Sequence, residues 1–286
     1  MRKLFTLAVC ACLVLSMLVP ATAIGEMAPE DAALTQATAG SNGLDIVVND
    51  AVISLDVPVQ VSDEVTYVSY WPVVQALYPD ATAEWQNDRA VVTAPGLTME
   101  IQPGLPYFIA NGRYLDLPQG IKFSDNVILL PVRTLCAALG ADVSWDAIGN
   151  RVVITAGYAP ITSGDIAYQS DVLYWLSHII NAESGNQPLA GKIAVGNVVL
   201  NRVANPRFPD TVYEVINQRG QFTPVSNGSI NLTPNAESII AAKLCLDGAN
   251  TVGNALYFLN PRTSSSSWAA RTRPYVATIG AHAFYA

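Results

Sequence analysis

The chain has 286 residues, 51% hydrophobic and only 13% charged, with a formal net charge of −8, a length that suits about two domains of ordinary size. Charge is uneven: residues 43–157 hold thirteen acids against five bases, whereas from residue 166 onward there are six acids and eight bases. That balance argues against nucleic acid as a partner and permits an anionic polymer to approach the C-terminal half.

In chain order, Arg2 and Lys3, the apolar run Leu4 to Val19 and Ala21-Thr22-Ala23 predict a signal peptide over 1–23. Val9 stands where a lipid-anchored Cys10 would need a small residue. No later stretch approaches the roughly 20 apolar residues of a membrane span, so an exported, soluble protein is expected. Two of the four cysteines, Cys10 and Cys12, leave with the signal, and Cys136 and Cys245 read as two buried thiols. Residues 24–42, rich in Ala, Thr, Gly and acids, predict a flexible tether.

Residues 43–157 contain an internal repeat. Val61 to Trp85 (VSDEVTYVSYWPVVQALYPDATAEW) aligns with Phe123 to Trp145 (FSDNVILLPVRTLCAALGADVSW), and the copies are followed by RAVVTA and RVVITA. Each is preceded by a strand-like segment, IVVNDAVISL or FIANGRYLDL. The predicted unit is strand, turn, strand, short helix, strand, used twice at a spacing of about 60 residues. Residues 158–168 predict a linker, and the remainder, 169–286, predicts mainly helices: Asp171 to Ser184, Pro188 to Val203, Thr211 to Gln218, and a fourth ending at Gly248. In the fourth, Thr233 is expected as cap, Pro234 at the first position and Glu237 in the first turn. A small β element is expected near Ala255 to Leu259, among loops rich in Asn, Ser, Gly and Pro.

The chemistry concentrates in VLYWLSHIINAESGNQPLAGKIAVGNVVLNR, Val172 to Arg202. Val172, Leu176, Ile179 and Ile180 form one apolar stripe, and Glu183 falls on it in the last turn, before a helix stop at Gly185 and a second helix opening at Pro188. Desolvation and the negative end of the helix dipole both raise the pKa of such a carboxyl, which prepares a general acid. The competing reading is an ion pair with Arg202. Glu214 and Glu237 read as solvated acids. Phe222 and Phe258 read as core, and Trp268 as either lid or packing anchor. His178 lies on another face, His282 is expected to pack, and neither has a serine or cysteine nucleophile in a recognisable elbow. The two histidines offer no metal-ligand spacing, so neither metal nor cofactor is expected.

Two resemblances follow from particular motifs. Leu130-Pro131-Val132-Arg133, Ala138-Leu139-Gly140-Ala141 and Val143-Ser144-Trp145-Asp146 make residues 43–157 similar to the copper amine oxidase N-terminal-like, or stalk, domain. That likeness implies an appended accessory or wall-attachment module without copper chemistry. From Ile180 onward the motifs AESGNQPLAGKIAVGNVVLNRV, PRFPDTVYEVI, GQFTPVSNG, INLTPN, ALYFLNP and TRPYVATIGAHAF resemble the catalytic domain of the SleB-type cell wall hydrolases, the spore cortex-lytic enzymes.

This second resemblance implies a lysozyme-like fold and a lytic transglycosylase that cuts peptidoglycan glycan between N-acetylmuramic acid and N-acetylglucosamine. Glu183 would be the acid, with Gln221, Thr223, Tyr257 and Asn260 lining the substrate cleft. Where many members carry a second acid, this chain has Asn186. The expected whole is α+β: a two-repeat α/β stalk module followed by a mainly helical lysozyme-like domain. It would be secreted to the cell wall or spore envelope, with peptidoglycan as partner. The alternatives are a non-catalytic wall-binding protein and a water-using muramidase.

Overall fold

The computed structural model describes residues 43–264 and 268–286. The expected signal peptide and tether, with Cys10 and Cys12, and Ser265 to Ser267 of the serine run lie outside the described residues.

The N-terminal part is built from short strands: β1 (Asp45–Val48), β2 (Ala51–Ile53), β3 (Gln60–Ser62) and β4 (Val65–Ser69) precede helix α1 (Tyr70–Leu77). They are followed by β5 (Thr82–Gln86), β6 (Arg89–Ala94), β7 (Leu97–Ile101), β8 (Tyr107–Ala110), β9 (Arg113–Asp116), β10 (Lys122–Ser124) and β11 (Val127–Pro131). Helix α2 (Val132–Leu139), β12 (Ala141–Asp146) and β13 (Arg151–Ala156) complete this part. Five of the hairpins close through two residues that both have positive φ: Asn49-Asp50, Asp63-Glu64, Asn87-Asp88, Asn111-Gly112 and Asp125-Asn126. Such turns match the right-handed twist of the strands, and Asn, Asp and Gly bear the left-handed backbone at least cost. Glu64 is the one residue of the ten outside that set.

Three sheets result, in the orders β12-β13-β1-β2, β10-β11-β4-β3 and β5-β6-β7-β8-β9. The middle of the second sheet is the antiparallel pair β4 and β11, in which Val68 faces Leu130, with Tyr67 opposite Pro131 and Ser69 opposite Leu129. Inward residues of all three sheets and of both helices, among them Ile46, Val92, Met99, Phe108, Leu130, Leu135 and Ile154, form one apolar core. Strands β5 and β12 were not foreseen. They are edge strands in their sheets; β5 is exposed at every residue, and β12 buries its apolar residues Ala141 and Val143 only in part.

The C-terminal part comprises α3 (Gly164–Ala167), α4 (Ser170–Ser184), α5 (Leu189–Val203), α6 (Val212–Asn217), α7 (Thr223–Asn227), a 3-10 turn (Ser229–Asn231) and α8 (Ala236–Leu246). It ends in β14 (Tyr257–Leu259), α9 (Pro261–Ser264), α10 (Trp268–Thr272), β15 (Tyr275–Ile279) and β16 (His282–Tyr285), whose strands make a sheet in the order β14-β16-β15. The architecture is therefore mixed, sheet-rich first and mainly helical second. Helices α4, α5 and α8 pack through Leu176, Ile180, Val195, Val199, Ala241 and Leu244. Gly196 permits the approach: a Cβ there would lie 2.7 Å from Cys245 Sγ and 2.9 Å from Ile180 Cδ1.

Two expectations about helix starts are corrected. Asn235, not Thr233, caps α8, its Oδ1 accepting from Ser238 N at 2.8 Å, because the helix begins two residues after Pro234. Pro188 is the cap residue of α5 with an extended ψ of 155°, and Leu189 takes the first helical position.

The segment after β13 is bound rather than loose. Tyr158 N donates to Gly140 O and Ile161 N to Ala138 O. Gly140, at φ +67°, ends α2, and any Cβ there would fall 2.2 Å from Ala159 O. Beyond it, the N- and C-terminal parts meet at Asp247, whose side chain is 1% exposed. Its carboxylate accepts from Arg113 Nε at 2.5 Å, from Tyr114 N at 2.9 Å, and from Arg113 Nη2 and the Tyr168 hydroxyl. Tyr107 of β8 sits in the helical core beside it.

Candidate functional site

Helix α4 buries Leu176, Ile179 and Ile180 completely, and the same stripe leaves Glu183 half-buried in the last turn. Desolvation raises the carboxyl's pKa above the ordinary range of a glutamate. Among the described residues it meets no ion-pair partner. The helix end is held by amides. Asn181 Oδ1 accepts from Asn235 N at 3.1 Å and from Ser238 Oγ at 3.3 Å, while Asn235 Nδ2 donates to Gly185 O at 3.1 Å. Gly185 is itself right-handed, with φ −56°. The helix thus stops because its last carbonyls are taken by α8's approach and Pro188 follows, not through a left-handed glycine.

Arg202 does not pair with Glu183. It is 5% exposed, donates from Nε to Leu256 O at 2.8 Å and from Nη1 to Gln221 Oε1 at 3.3 Å. Its guanidinium lies 5.2 to 5.6 Å from the ring centres of Phe208, Phe222 and Tyr257. Burial pulls its pKa down, and no carboxylate among the described residues balances the charge. The sequence does contain the signal for this: Arg202 continues the buried stripe Val195, Val198, Val199 of α5 at helical spacing.

Gln221 and Tyr257 are brought together around that guanidinium. Tyr257 also stacks edge-on with Trp268, centre to centre 5.6 Å, and Arg273 lies 4.6 Å from the Trp268 ring and 5.3 Å from that of Tyr257. The result is a half-exposed aromatic and amide surface with two guanidinium groups, the type of surface on which sugar rings stack and hydrogen-bond. Thr223 is the exposed first residue of α7, its carbonyl accepting from Ser226 Oγ, and Asn260 Oδ1 accepts from Arg262 N just past β14. Trp268 is half exposed at this surface.

The remaining candidates are structural. Phe222 is buried, and Phe258 packs against it and against Phe284. His178 Nδ1 meets Ile230 O at 2.7 Å. His282 packs on Phe258 and Phe284, and burial lowers its pKa. Glu214 bonds its own cap, Thr211. Glu237 is not simply solvated: it takes a 2.5 Å bond from Lys192, a cation 1% exposed on α5 that also donates to Gln187 O. Sequence reading missed Lys192 because the helix around it is so apolar. Cys136 and Cys245 are both free and buried, and burial pushes the Cys136 thiol up to about 12.

Comparison with known proteins places names beside this geometry. Residues 186–285 match the model of the cell wall hydrolase family, and residues 47–154 match that of the copper amine oxidase N-terminal domain. The spore cortex-lytic enzyme of Bacillus cereus is 39% identical over 117 residues, covering 41% of this chain and 45% of that protein. That of Oceanobacillus iheyensis is 35% identical over 145 residues, 51% of this chain and 52% of its own length. The chain thus spans about half the length of these curated relatives. Among solved structures, the catalytic domain of the germination-specific lytic transglycosylase SleB from Bacillus anthracis is 37% identical, covering 44% of this chain and 100% of that one, with a TM-score of 0.40. Glu183 lies three residues before the stretch that the hydrolase family model matches.

Proposed function

We propose that this chain cleaves the glycan strand of peptidoglycan with Glu183 as its acid and base, in keeping with the match of residues 186–285 to the cell wall hydrolase family and of residues 47–154 to the copper amine oxidase N-terminal domain. One observation carries the reading: a half-buried carboxyl without an ion-pair partner, its pKa raised by desolvation, at the end of an otherwise apolar helix stripe. Protonated Glu183 gives its proton to the glycosidic oxygen as the bond from C1 of N-acetylmuramic acid breaks, releasing N-acetylglucosamine with a free hydroxyl. The C6 hydroxyl oxygen of the muramic residue then bonds to C1, and its proton returns to the Glu183 carboxylate. The product is a 1,6-anhydro sugar and no water is consumed, so a single carboxylate suffices where Asn186 offers no second one.

Gln221 and Tyr257 belong to the sugar-binding surface in this reading, and Thr223 and Asn260 to its rim. Residues 43–157 are the stalk module, built twice from one strand–helix pattern, 158–168 the linker and 169–286 the catalytic module. Export by the leader at 1–23 brings the protein to the wall or spore envelope, with spore cortex the substrate named for its relatives.

Mass spectrometry of the released muropeptides is the test. Anhydro ends, lighter by one water than reducing ends, are expected. Reducing ends would assign a water-using muramidase. Binding to sacculi with no soluble product would leave a non-catalytic wall-binding protein.

A further inference from the structure

Of three cavities of similar size in the N-terminal part, about 480, 470 and 460 Å³, the first two each contain a strand tryptophan followed by a repeat of RAVVTA or RVVITA. Both fall in the size range of built ligand sites. They are bounded by corresponding parts of the chain. One takes Trp145, Val143 and Val152 from the second copy and Val65 and Thr66 from the hairpin of the first. The other takes Trp85, Ala83 and Ala90 from the first copy and Val127 and Ile128 from the hairpin of the second. Trp85 stands across from Ala90 just as Trp145 stands across from Val152. At the centre, Val68 pairs with Leu130, 62 positions on, and the neighbours exchange symmetrically. The two cavities are therefore related by a local two-fold through β4 and β11.

Each cavity ends in a tryptophan that nothing covers: Trp85 is 59% and Trp145 51% exposed. Exposing a large flat ring twice, at matching places on edge strands, serves no packing purpose. Polar groups line both cavities, Asp56 and Asn126 in one and Glu64, Asp116, Gln119, Arg133, Thr134 and Ser144 in the other. Flat aromatic floors with polar rims suit sugar rings, whose faces are apolar and whose edges bear hydroxyl and amide groups. The module's thirteen acids against five bases disfavour a polyanion such as teichoic acid. Two equivalent sites on one module suit a ligand that itself repeats.

We propose that these two tryptophan clefts bind the uncharged sugar faces of a glycan strand, holding it while the hydrolase module works on the same polymer. The proposal rests on the peptidoglycan reading for the identity of that polymer, but not on Glu183. Holding one strand at two further points raises its effective concentration at the hydrolase module without new contacts there.

The test uses the full chain carrying Glu183→Gln, so that the polymer stays intact, and sacculi stripped of teichoic acid. In co-sedimentation, Trp85→Ala and Trp145→Ala are each expected to weaken binding roughly fivefold to tenfold, and the double variant more than either. Phenylalanine at each site should restore most of the loss. With Glu183 intact, the double variant should show a raised KM on sacculi and an unchanged kcat. Double-variant binding equal to the parent's would overturn the proposal, as would parent binding that disappears once teichoic acid is stripped. Failure of the peptidoglycan-cleaving reading is a separate event: the parent with Glu183 would release no muropeptide while the tryptophan effects on binding persisted.

Discussion

The two parts of this chain bury different things. Among the described residues, the sheet-rich part buries a single polar residue, Ser69, and keeps most of its acids on turns and exposed strand faces. The helical part buries Ser177, His178, Ser184, Lys192, Asn197, Arg202, Ser238 and His282. Polar and charged groups out of water are costly unless bonded or employed. Most of these groups are bonded within the fold, Ser184 to Ile180 O, His178 with Ile230 O and Asn197 to Ala249 O, so the helical part uses buried polarity to tie its own elements together.

Removing the acid should break the contrast most sharply. Glu183→Gln is expected to lower the rate of sacculus turnover by about 10²- to 10⁴-fold, measured as release of soluble muropeptides, with the circular dichroism spectrum unchanged. Because the folded chain holds this proton more tightly than the unfolded one, stability falls as pH rises from the ordinary carboxylate value to the raised one. The glutamine variant should therefore melt slightly above the parent at neutral pH and lose that advantage below the ordinary carboxylate range. Activity of the parent should decline as pH climbs through the same raised value.

Next in size is Asp247→Ala, which strands Arg113 and the Tyr168 hydroxyl at the junction of the two parts. It should cost about 3–5 kcal/mol in urea unfolding, whereas Glu100→Gln, at the exposed pair with Arg89, should cost less than about 1 kcal/mol. Equal costs would erase the distinction between the two electrostatic regimes. Gly196→Ala crowds Cys245 and Ile180 where α5 meets α4 and α8, and about 1–3 kcal/mol of destabilisation is expected from thermal melts. The smallest effect belongs to the sheets: Glu64→Gly relieves a glutamate at φ +66° and should stabilise by up to about 1 kcal/mol.

Sequence reading succeeded where one face of an element is buried. Val172, Leu176, Ile179 and Ile180 gave α4, and Glu183 stood out as the charge upon their stripe. It failed at β5, which is exposed throughout, at β12, an edge strand only partly buried, and at α7, only five residues long, where no periodicity can accumulate. Thr233-Pro234 resembled a cap, but Asn235 outcompeted Thr233 through contacts with Asn181 and Gly185 that no local pattern contains. In the competing reading, Arg202 was only an ion-pair partner for Glu183. Its aromatic seat comes from Phe208, Phe222 and Tyr257, which are scattered along the chain and meet only after folding.

The carboxylate of Asp247 has a mechanical corollary. A cut near residue 168 would take away Arg113, the Tyr114 amide and the Tyr107 ring together, uncapping an anion at the end of α8 and opening a notch in the helical interior. The junction of the two parts is therefore closed by buried polar bonds as well as by apolar contact.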